Sequence, residues 1–583
     1  MINIKEDEKL SILNHSCAHL LAHAVKRIYP EALFWVGPVI EDGFYYDIDL
    51  GDKVVTEEDL EKIEREMKRI SKDNKKIIKL ELSKEEALEM FKDDPYKIDL
   101  INNMEDSITA YKQDDFIDLC RGPHVEYTKD IKYFKLLKVS GAYYKGDSKN
   151  KMLQRIYGIC FNSEEELNDY LNMLEEAKKR DHRILGKELD LFMLVPEAGQ
   201  GLAFWLPRGM AVRKVLEDYQ YKEQLKAGYQ FVSTPVIASK WLYETSGHWE
   251  HYQDMMFPLM ERDGEELVLR PMSCPHHMLI FKSKLRSYRD LPIRYSEIVL
   301  QHRYESSGGL SGLERVRAMN LTDAHIFARK DQIEEEVIAA YELIDKAIKD
   351  LGLEIDYIEL ALRGEDNNSD KYHSNDEVWI ETEEILKNIL DKNNIEYIEK
   401  KGEAAFYGPK IDIQVRNILG TVITMSTIQL DMVLPERFDL TYVDNDGNKK
   451  RPVAIHRGYI STYERLLSIL IEQYAGAFPL WLAPVQVNII PVNSEYHSDY
   501  SKEIKELLID NDIRIEFDDR NEKLGYKIRE SQMQKIPYSV VIGDKEKEEG
   551  TITYRKYNSN DMITVNKEEF ISLLKEEIIK KTI

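Results

Sequence analysis

The sequence predicts a multidomain α+β protein. Three observations carry that expectation: the length, a capped helix that divides the chain near residue 163, and a change of periodicity near residue 481. At about 100–200 residues per domain, 583 residues make room for three to five domains. A hydrophobic fraction of 43% is enough to fill several cores. Ser163 followed three residues later by Glu166 is a capping-box start, and Leu167, Tyr170, Leu171, Leu174 and Ala177 then recur at helical spacing. The basic run Lys178-Lys179-Arg180-Asp181-His182-Arg183 closes that helix, where cations complement its dipole. The reading is an N-terminal α+β domain over 1–162, a linker helix over 163–184, a central domain over 185–480 and a small C-terminal α/β domain over 481–583.

The central region opens with a helix from about Met210 to Lys226, stopped by Gly228. A strand from Phe231 to Ile237 is expected next, and Pro235 inside it implies an edge or interface position. Two further strands, Ile293 to Arg303 and Arg315 to Phe327, flank the loop Ser306-Ser307-Gly308-Gly309-Leu310-Ser311-Gly312. That loop is too long for a tight hairpin, and the layout favours antiparallel pairing. From 481 onward strands and helices alternate: strand 485–490, helix Ser501–Leu508, strand Ile513–Phe517, helix Leu524–Gln534 and strand Tyr538–Ile542. This predicts a mixed sheet.

Four cysteines (Cys17, Cys120, Cys160, Cys274) are too few for a disulfide scaffold and point to a reducing, cytoplasmic setting. The charged start Met1-Ile2-Asn3-Ile4-Lys5-Glu6 lacks the form of a signal peptide. The longest uncharged stretch, Gln473 to Ser494, is broken by Pro479, Pro484 and Pro491, so no membrane span is expected. A net charge of −25 opposes nucleic acid at long range. Screening within about 10 Å still lets a local basic patch such as 178–183 hold phosphates.

The chemistry starts from arginines. Arg303 and Arg315 lie on the two strands that flank the Gly/Ser loop, and Arg465 follows on a later helix in Tyr463-Glu464-Arg465. Guanidinium groups fork onto phosphate oxygens, so three that converge suit a bent triphosphate. Taken singly, each is more often a surface ion-pair partner. The joint pattern, His302-Arg303-Tyr304-Glu305, a loop, Arg315 and a distant Glu-Arg, resembles the signature of class II aminoacyl-tRNA synthetases, with Pro235 matching their first motif. No Walker or dinucleotide-binding glycine run competes. The resemblance implies an antiparallel catalytic sheet and ATP with Mg²⁺ as substrate. Arg303 would lie at the α-phosphate, Glu305 near the adenine amino group, and Arg315 and Arg465 at the γ-phosphate.

Three segments narrow the resemblance: Arg270-Pro271-Met272-Ser273-Cys274-Pro275, Thr322-Asp323-Ala324-His325-Ile326-Phe327 and Val453-Ala454-Ile455-His456-Arg457. They are similar to the segments of threonyl-tRNA synthetases that hold one catalytic zinc ion per chain through Cys274, His325 and His456. Spacing alone does not select those ligands, because His276, His277 and His302 lie close by. Three protein ligands leave a coordination position open, and a threonine hydroxyl there distinguishes threonine from valine. Asp323, Tyr407 and Gln429 match positions that contact the amino acid, and Lys410 and His248 match groups implicated in activation and transfer.

Serine, one methyl smaller, also carries the hydroxyl, and one methyl is worth only about 1–3 kcal/mol. His15-Ser16-Cys17-Ala18-His19 sets two histidines on one helical face, and Cys120-Arg121-Gly122-Pro123-His124 supplies a second pair. With Asp118 they resemble the editing domain of threonyl- and alanyl-type synthetases, which in the threonyl family works without metal. Asn521, Glu546 and Arg555 match the anticodon-reading part of the family. The resemblance spans essentially the whole chain. It implies ligation of threonine to threonine tRNA, clearance of seryl-tRNA, and a homodimer. The chain is expected to begin at the editing domain without the small extra N-terminal domain of many bacterial members. Met319, Thr424 and Ser461 depart from the family pattern around the expected adenine site.

Overall fold

The computed structural model describes residues 3–104, 108–147, 149–364, 371–418 and 420–582. The chain divides into two compact units, Met1–Glu176 and Ala177–Ile583.

In the first unit, helix α1 (Glu8–Ile28) starts where the Asp7 carboxylate accepts the Leu10 amide and ends on Lys26 and Arg27, so both helix ends are electrostatically matched. It packs into a core with strands β1 (Gly43–Asp49), β5 (Tyr133–Tyr143) and β6 (Met152–Phe161), where β1 pairs with β6 and β6 with β5, all antiparallel. A smaller antiparallel sheet joins β2 (Ile77–Leu82), β3 (Ile108–Gln113) and β4 (Phe116–Leu119). Helix α2 (Glu164–Arg180) has the predicted capping box: the Ser163 hydroxyl accepts the Glu166 amide at 3.2 Å, and the Glu166 carboxylate accepts the Ser163 amide at 3.1 Å.

In the second unit, α3 (His182–Glu188) and α4 (Pro207–Lys226) precede the main sheet. Its strands, in chain order, are β7 (Gln230–Phe231), β8 (Ile293–His302), β9 (Ala318–Ala328), β10 (Ile355–Leu362), β11 (Ile398–Lys401), β12 (Lys410–Arg416), β13 (Val422–Asp431) and β14 (Val453–Thr462). Their spatial order is β7-β8-β9-β14-β13-β12-β10-β11. The outer pairs β7/β8 and β10/β11 are parallel and the rest antiparallel, as predicted for the two arginine-bearing strands. Helix α5 (Cys274–Lys282) precedes β8, α6 (Ile333–Asp350) follows β9, and α7 (Tyr463–Gln473) follows β14. Residues of α4, α6 and α7 bury one sheet face in the largest core.

Beyond it lies the predicted mixed sheet. Its strands are β15 (Val487–Pro491), β16 (Ile515–Phe517), β17 (Tyr538–Ile542), β18 (Thr551–Lys556) and β19 (Ile563–Asn566), ordered β16-β15-β17-β18-β19. Helices α8 (Ser498–Ile509), α9 (Leu524–Met533), α10 (Asp544–Glu549) and α11 (Lys567–Lys580) accompany it.

Two expectations need correction. The strand over 231–237 breaks: β7 ends at Phe231, and Ile237–Ser239 pairs with Leu267–Leu269 instead. Pro235 has no amide hydrogen to extend the ladder, and the Thr234 amide and hydroxyl both turn to the Glu297 carboxylate, at 2.9 and 2.8 Å. Likewise β9 begins at Ala318 rather than Arg315, because Arg315 forms an isolated bridge with Ser311 that closes the loop.

Where β14 meets β9 the register shifts between Leu321 and Asp323, and Ser461 lies in the bulge with a φ of 40° and a buried hydroxyl without a hydrogen-bond partner. The left-handed region costs an L side chain about 1–2 kcal/mol. Ser461→Gly is therefore expected to stabilise the second unit by about 1 kcal/mol, read as a higher urea midpoint. A lower midpoint would show that the hydroxyl contributes a contact the folded chain needs.

Candidate active site

A strand presents alternate residues to one face, so register decides which side chains share a site. Across four adjacent strands His325 of β9 stands opposite His456 of β14, His456 opposite Gln429 of β13, and Gln429 opposite Lys410 of β12. One step along on the same face run Asp323, Gly458, Thr427 and Asp412. The intervening residues Ala324, Ile326, Ile455, Ile428, Leu430 and Ile411 belong to the core.

Cys274 opens α5 above this row. One ligand atom each from Cys274, His325 and His456 lies within 4.8 Å of the others, and all three residues are buried. His456 places Nε2 2.8 Å from the Asp431 carboxylate, which leaves its Nδ1 without a partner. His325 places Nδ1 2.8 Å from His277 Nδ1, which leaves its Nε2 without a partner. His277 in turn contacts Glu297 at 3.2 Å, and Arg270 donates to the same carboxylate at 3.2 Å. Burial pushes the Cys274 thiol well up and the His325 imidazole well down. Two ring nitrogens without partners and one thiol, each ring oriented from behind, form a donor set suited to zinc.

Around this trio, Tyr407 stacks on His456 with ring centroids 4.7 Å apart and donates its hydroxyl to Gln429. Asp323 accepts the Ser273 hydroxyl, and Lys410 pairs with Asp412. His248 is buried just after Gly247, whose φ of 84° turns the chain there. Its ring lies 2.8 Å from the Ser246 hydroxyl and 3.2 Å from the Met272 sulfur, and burial lowers its pKa to about 3.

The three arginines also meet. Burial first, and then the positive charges of Arg315 and Arg303, hold the Arg465 guanidinium below its ordinary value. Arg465 donates to the Glu314 carbonyl at 2.9 Å, Arg303 approaches Pro271 O at 3.5 Å, and Arg317 donates to the Glu305 carbonyl at 2.9 Å. Glu464 is buried and accepts both the amide and the side-chain nitrogen of Asn320 at 2.9 Å, tying α7 to β9. Of the departing residues, Met319 is buried opposite Gln301, and Thr424 is exposed with its hydroxyl 3.1 Å from Gln414.

In the first unit a cavity of about 1010 Å³ is lined by His15, His19, Tyr46, Lys97, Asp118 and Cys120 among others. Cys120 Sγ lies 3.1 Å from both His15 Nε2 and His124 Nε2. His19 packs its ring 4.9 Å from that of His124 and lies 3.8 Å from Asp118, with neither ring nitrogen hydrogen-bonded. Burial holds His19 at about 3 and His124 at about 2, and pushes Cys120 up to about 12, so the cluster is neutral at physiological pH. The sequence reading did not select Lys97 or Tyr46. Lys97 is buried and sits 2.6 Å from Asp118, and the Tyr46 hydroxyl donates to the same carboxylate.

At the C-terminal sheet the segment after Gly543 forms helix α10. Glu546 accepts the Gly543 amide at 2.8 Å and the Thr553 hydroxyl at 2.6 Å, Arg555 donates to the Ser559 carbonyl and Asn560, and Asn521 is exposed. In the basic run, Arg180 donates to the backbone carbonyls of Glu472 and Gln473 and His182 is buried, so these two face inward, while Arg183 is exposed and pairs with Asp181.

An antiparallel sheet carrying this polar row, with three converging arginines beside it, is the core of a class II aminoacyl-tRNA synthetase. Residues 257–474 match the class II core domain of the G, H, P, S and T synthetases. Residues 486–577 match an anticodon binding domain, and 108–157 the threonyl and alanyl tRNA synthetase second additional domain. The threonine–tRNA ligase of Oceanobacillus iheyensis is 53% identical over 100% of this chain and 91% of its own length. That of a Geobacillus species is 53% identical over 98% of this chain and 89% of its own. The crystal structure of the RNA binding domain of threonyl-tRNA synthetase from Cryptosporidium parvum is 34% identical, covers 68% of this chain and 98% of that one, and superposes with a TM-score of 0.65. The chain belongs to the threonine–tRNA ligase family.

The buried Lys97–Asp118 pair gives a direct test of the first unit's polar interior. Lys97→Met leaves the Asp118 charge without its cation and should destabilise that unit by about 3–5 kcal/mol, measured by hydrogen exchange in α1 and β4. Replacing both partners by apolar residues should recover most of that loss. A double variant no more stable than Lys97→Met would show that the two groups do not act as a pair.

Proposed function

We propose that the chain activates threonine with ATP, transfers it to threonine tRNA and hydrolyses seryl-tRNA. The observation that carries the synthetic half is the pair of oriented, unpartnered ring nitrogens of His325 and His456 beside Cys274, set in register with Asp323 and Gln429. Cys274, His325 and His456 are the residues that would hold zinc, and a bound zinc ion supplies an open Lewis-acid position for an amino group and a hydroxyl. Asp323 and Gln429, with Tyr407 stacked against His456, bound the amino acid's space. Its carboxylate oxygen attacks the α-phosphorus of ATP, the bond to the bridging oxygen breaks, and pyrophosphate leaves.

Arg303, Arg315 and Arg465 neutralise the triphosphate, with Mg²⁺ accompanying ATP, so activation rests on positioning and charge rather than on an enzyme nucleophile. Glu305 lies where the adenine amino group is placed. The tRNA hydroxyl then displaces AMP from the adenylate. His248, neutral at physiological pH, and Lys410 serve in this step. Asn521, Glu546 and Arg555 read the anticodon. Residues 1–162, 163–184, 185–480 and 481–583 are assigned as editing domain, linker, catalytic domain and anticodon domain. The assembly in this reading is a homodimer in the cytoplasm, and the exposed Met193, Leu194 and Phe204 of the hairpin Phe192–Trp205 supply apolar surface for it.

The editing half rests on the cavity of the first unit. His15, Cys120 and His124 satisfy one another through the thiol, whereas His325 and His456 are left with free nitrogens. This contrast supports one zinc per chain and a metal-free editing site, in which neutral His19 beside Asp118 orients the attacking water. Metal analysis should therefore find about one zinc in the unsubstituted protein and in Cys120→Ala, and none in Cys274→Ala, which should also lose threonine-dependent pyrophosphate exchange. Zinc-free protein that still activates threonine would overturn the assignment.

Replacing His15, His19 or Cys120 should leave threonine charging near normal while seryl-tRNA accumulates, with hydrolysis falling by roughly 10²–10⁴-fold where general acid–base catalysis is lost. Deacylation of preformed seryl-tRNA reads this directly. Unchanged rates in all three variants would rule out this editing site.

A further inference from the structure

The basic run at 178–183 is not absorbed by any step of the reaction, and the structure gives its histidine a specific place. His182 is 3% exposed and lies between two segments distant in sequence. Its Nδ1 is 2.7 Å from the Glu472 carboxylate in the last turn of α7, and its Nε2 is 3.1 Å from the backbone nitrogen of Leu313 in the loop between β8 and β9. A ring nitrogen that accepts an amide hydrogen carries no proton of its own. The proton is therefore on Nδ1 and is donated to Glu472, and the two bonds together fix one tautomer.

The loop comes close enough for this because residue 312 is glycine. Gly312 has a φ of 48°, and a Cβ there would lie 2.1 Å from His182 Nε2. Asp181, His182 and Glu472 also offer ligand atoms within 4.8 Å of one another. A metal does not fit as well there: both Asp181 oxygens are held by Arg183, and both His182 nitrogens are hydrogen-bonded, unlike those of His325 and His456.

We infer that His182 is a positioning residue for ATP, pinning the phosphate loop to α7 so that Arg315 and Arg465 hold the separation a triphosphate needs. This rests on the ATP roles proposed above. Arg315 follows Leu313 by two residues, and Arg465 lies on the same helix as Glu472. Arg465 itself donates to the Glu314 carbonyl at 2.9 Å, so adjacent loop residues are tied to α7 by two different side chains. The charges of Arg315 and Arg303 both oppose that of Arg465 before the triphosphate arrives. A loop pinned at its base keeps them converged, so less of ATP's binding energy is consumed in ordering them.

Two isosteres separate the two bonds. In His182→Asn the amide nitrogen can still donate to Glu472 but cannot reach Leu313. In His182→Gln the amide oxygen can accept from Leu313, while the donor to Glu472 is lost. In full-length zinc-loaded protein, His182→Asn should raise the KM for ATP in threonine-dependent pyrophosphate exchange by about threefold to tenfold, the size of one hydrogen bond. The KM for threonine should stay unchanged, and His182→Gln should recover most of the loss.

Direct titration with ATP should show the same order of affinities, which separates this inference from the function beneath it: a protein without threonine-dependent exchange could still rank the variants. An unchanged ATP affinity in His182→Asn would overturn the proposal. So would equal losses in both variants, or parallel rises in both KM values with a lower thermal midpoint, which would mark a structural residue only.

Discussion

The antiparallel register of β9, β14, β13 and β12 is the constraint on which the rest depends. Because side chains alternate with a period of two, a slip of one residue in any of these strands would send its polar residue into the core and an isoleucine or leucine into the site. The core side is occupied by Ile326, Ile455, Ile428, Leu430 and Ile411, and the cost of exposing such residues, about 1.5–3 kcal/mol each, is what holds His325, His456, Gln429 and Lys410 in one row. The site's geometry is in this sense a consequence of the core on its other face. Ser461, in the bulge at the end of β14, marks where that ladder changes step before α7 begins.

Two His/Cys clusters in one chain show that residue type alone does not define a metal site. In the first unit the histidine nitrogens nearest Cys120 are spent on its thiol, and Ser16 engages the other nitrogen of His124 at 3.2 Å. In the second, Asp431 and His277 take one nitrogen of each ring and leave the other aimed at nothing within hydrogen-bond reach. A buried unsatisfied polar atom costs about 1–3 kcal/mol, and the two clusters place that cost differently: on His325 and His456 beside Cys274 in the second, and on His19, next to the satisfied His15–Cys120–His124 trio, in the first.

Much of the fold was legible because local chemistry announces it. The Ser163/Glu166 box, the strand from Tyr538 to Ile542 and the antiparallel flanks of the Gly/Ser loop all appear where the residues placed them. The strand expected over 231–237 failed because the pull of the Glu297 carboxylate on Thr234 comes from a strand some sixty residues on, which no local pattern reveals. The site divides in the same way. Residues in matching motifs could be named from sequence, and the structure brings Cys274, His325 and His456 together. The groups behind them, Asp431 and Glu297, could not be named, nor could Lys97 beside Asp118 in the first unit, since an acid or a lysine in a strand or helix looks the same in sequence whether it is solvated or buried. His182 was read as part of a basic helix end able to hold phosphates for this reason, although it is buried.

The arginine cluster ties these threads to the chain's net charge. With −25 overall, the protein repels polyanions at long range, yet Arg303, Arg315 and Arg465 are close enough to depress the ionisation of Arg465. Beyond about 10 Å salt erases most of the repulsion, and inside that radius the local cluster governs. Two of its members are held by uncharged contacts, Arg303 at the backbone carbonyl of Pro271 and Arg465 at that of Glu314. Neutral anchors do not compete with an incoming phosphate as a carboxylate partner would. Of the charges that act on Arg465, those of Arg315 and Arg303 outweigh those of Glu314 and Glu305, so the fold leaves a net positive charge there, as the proposed binding of a triphosphate requires.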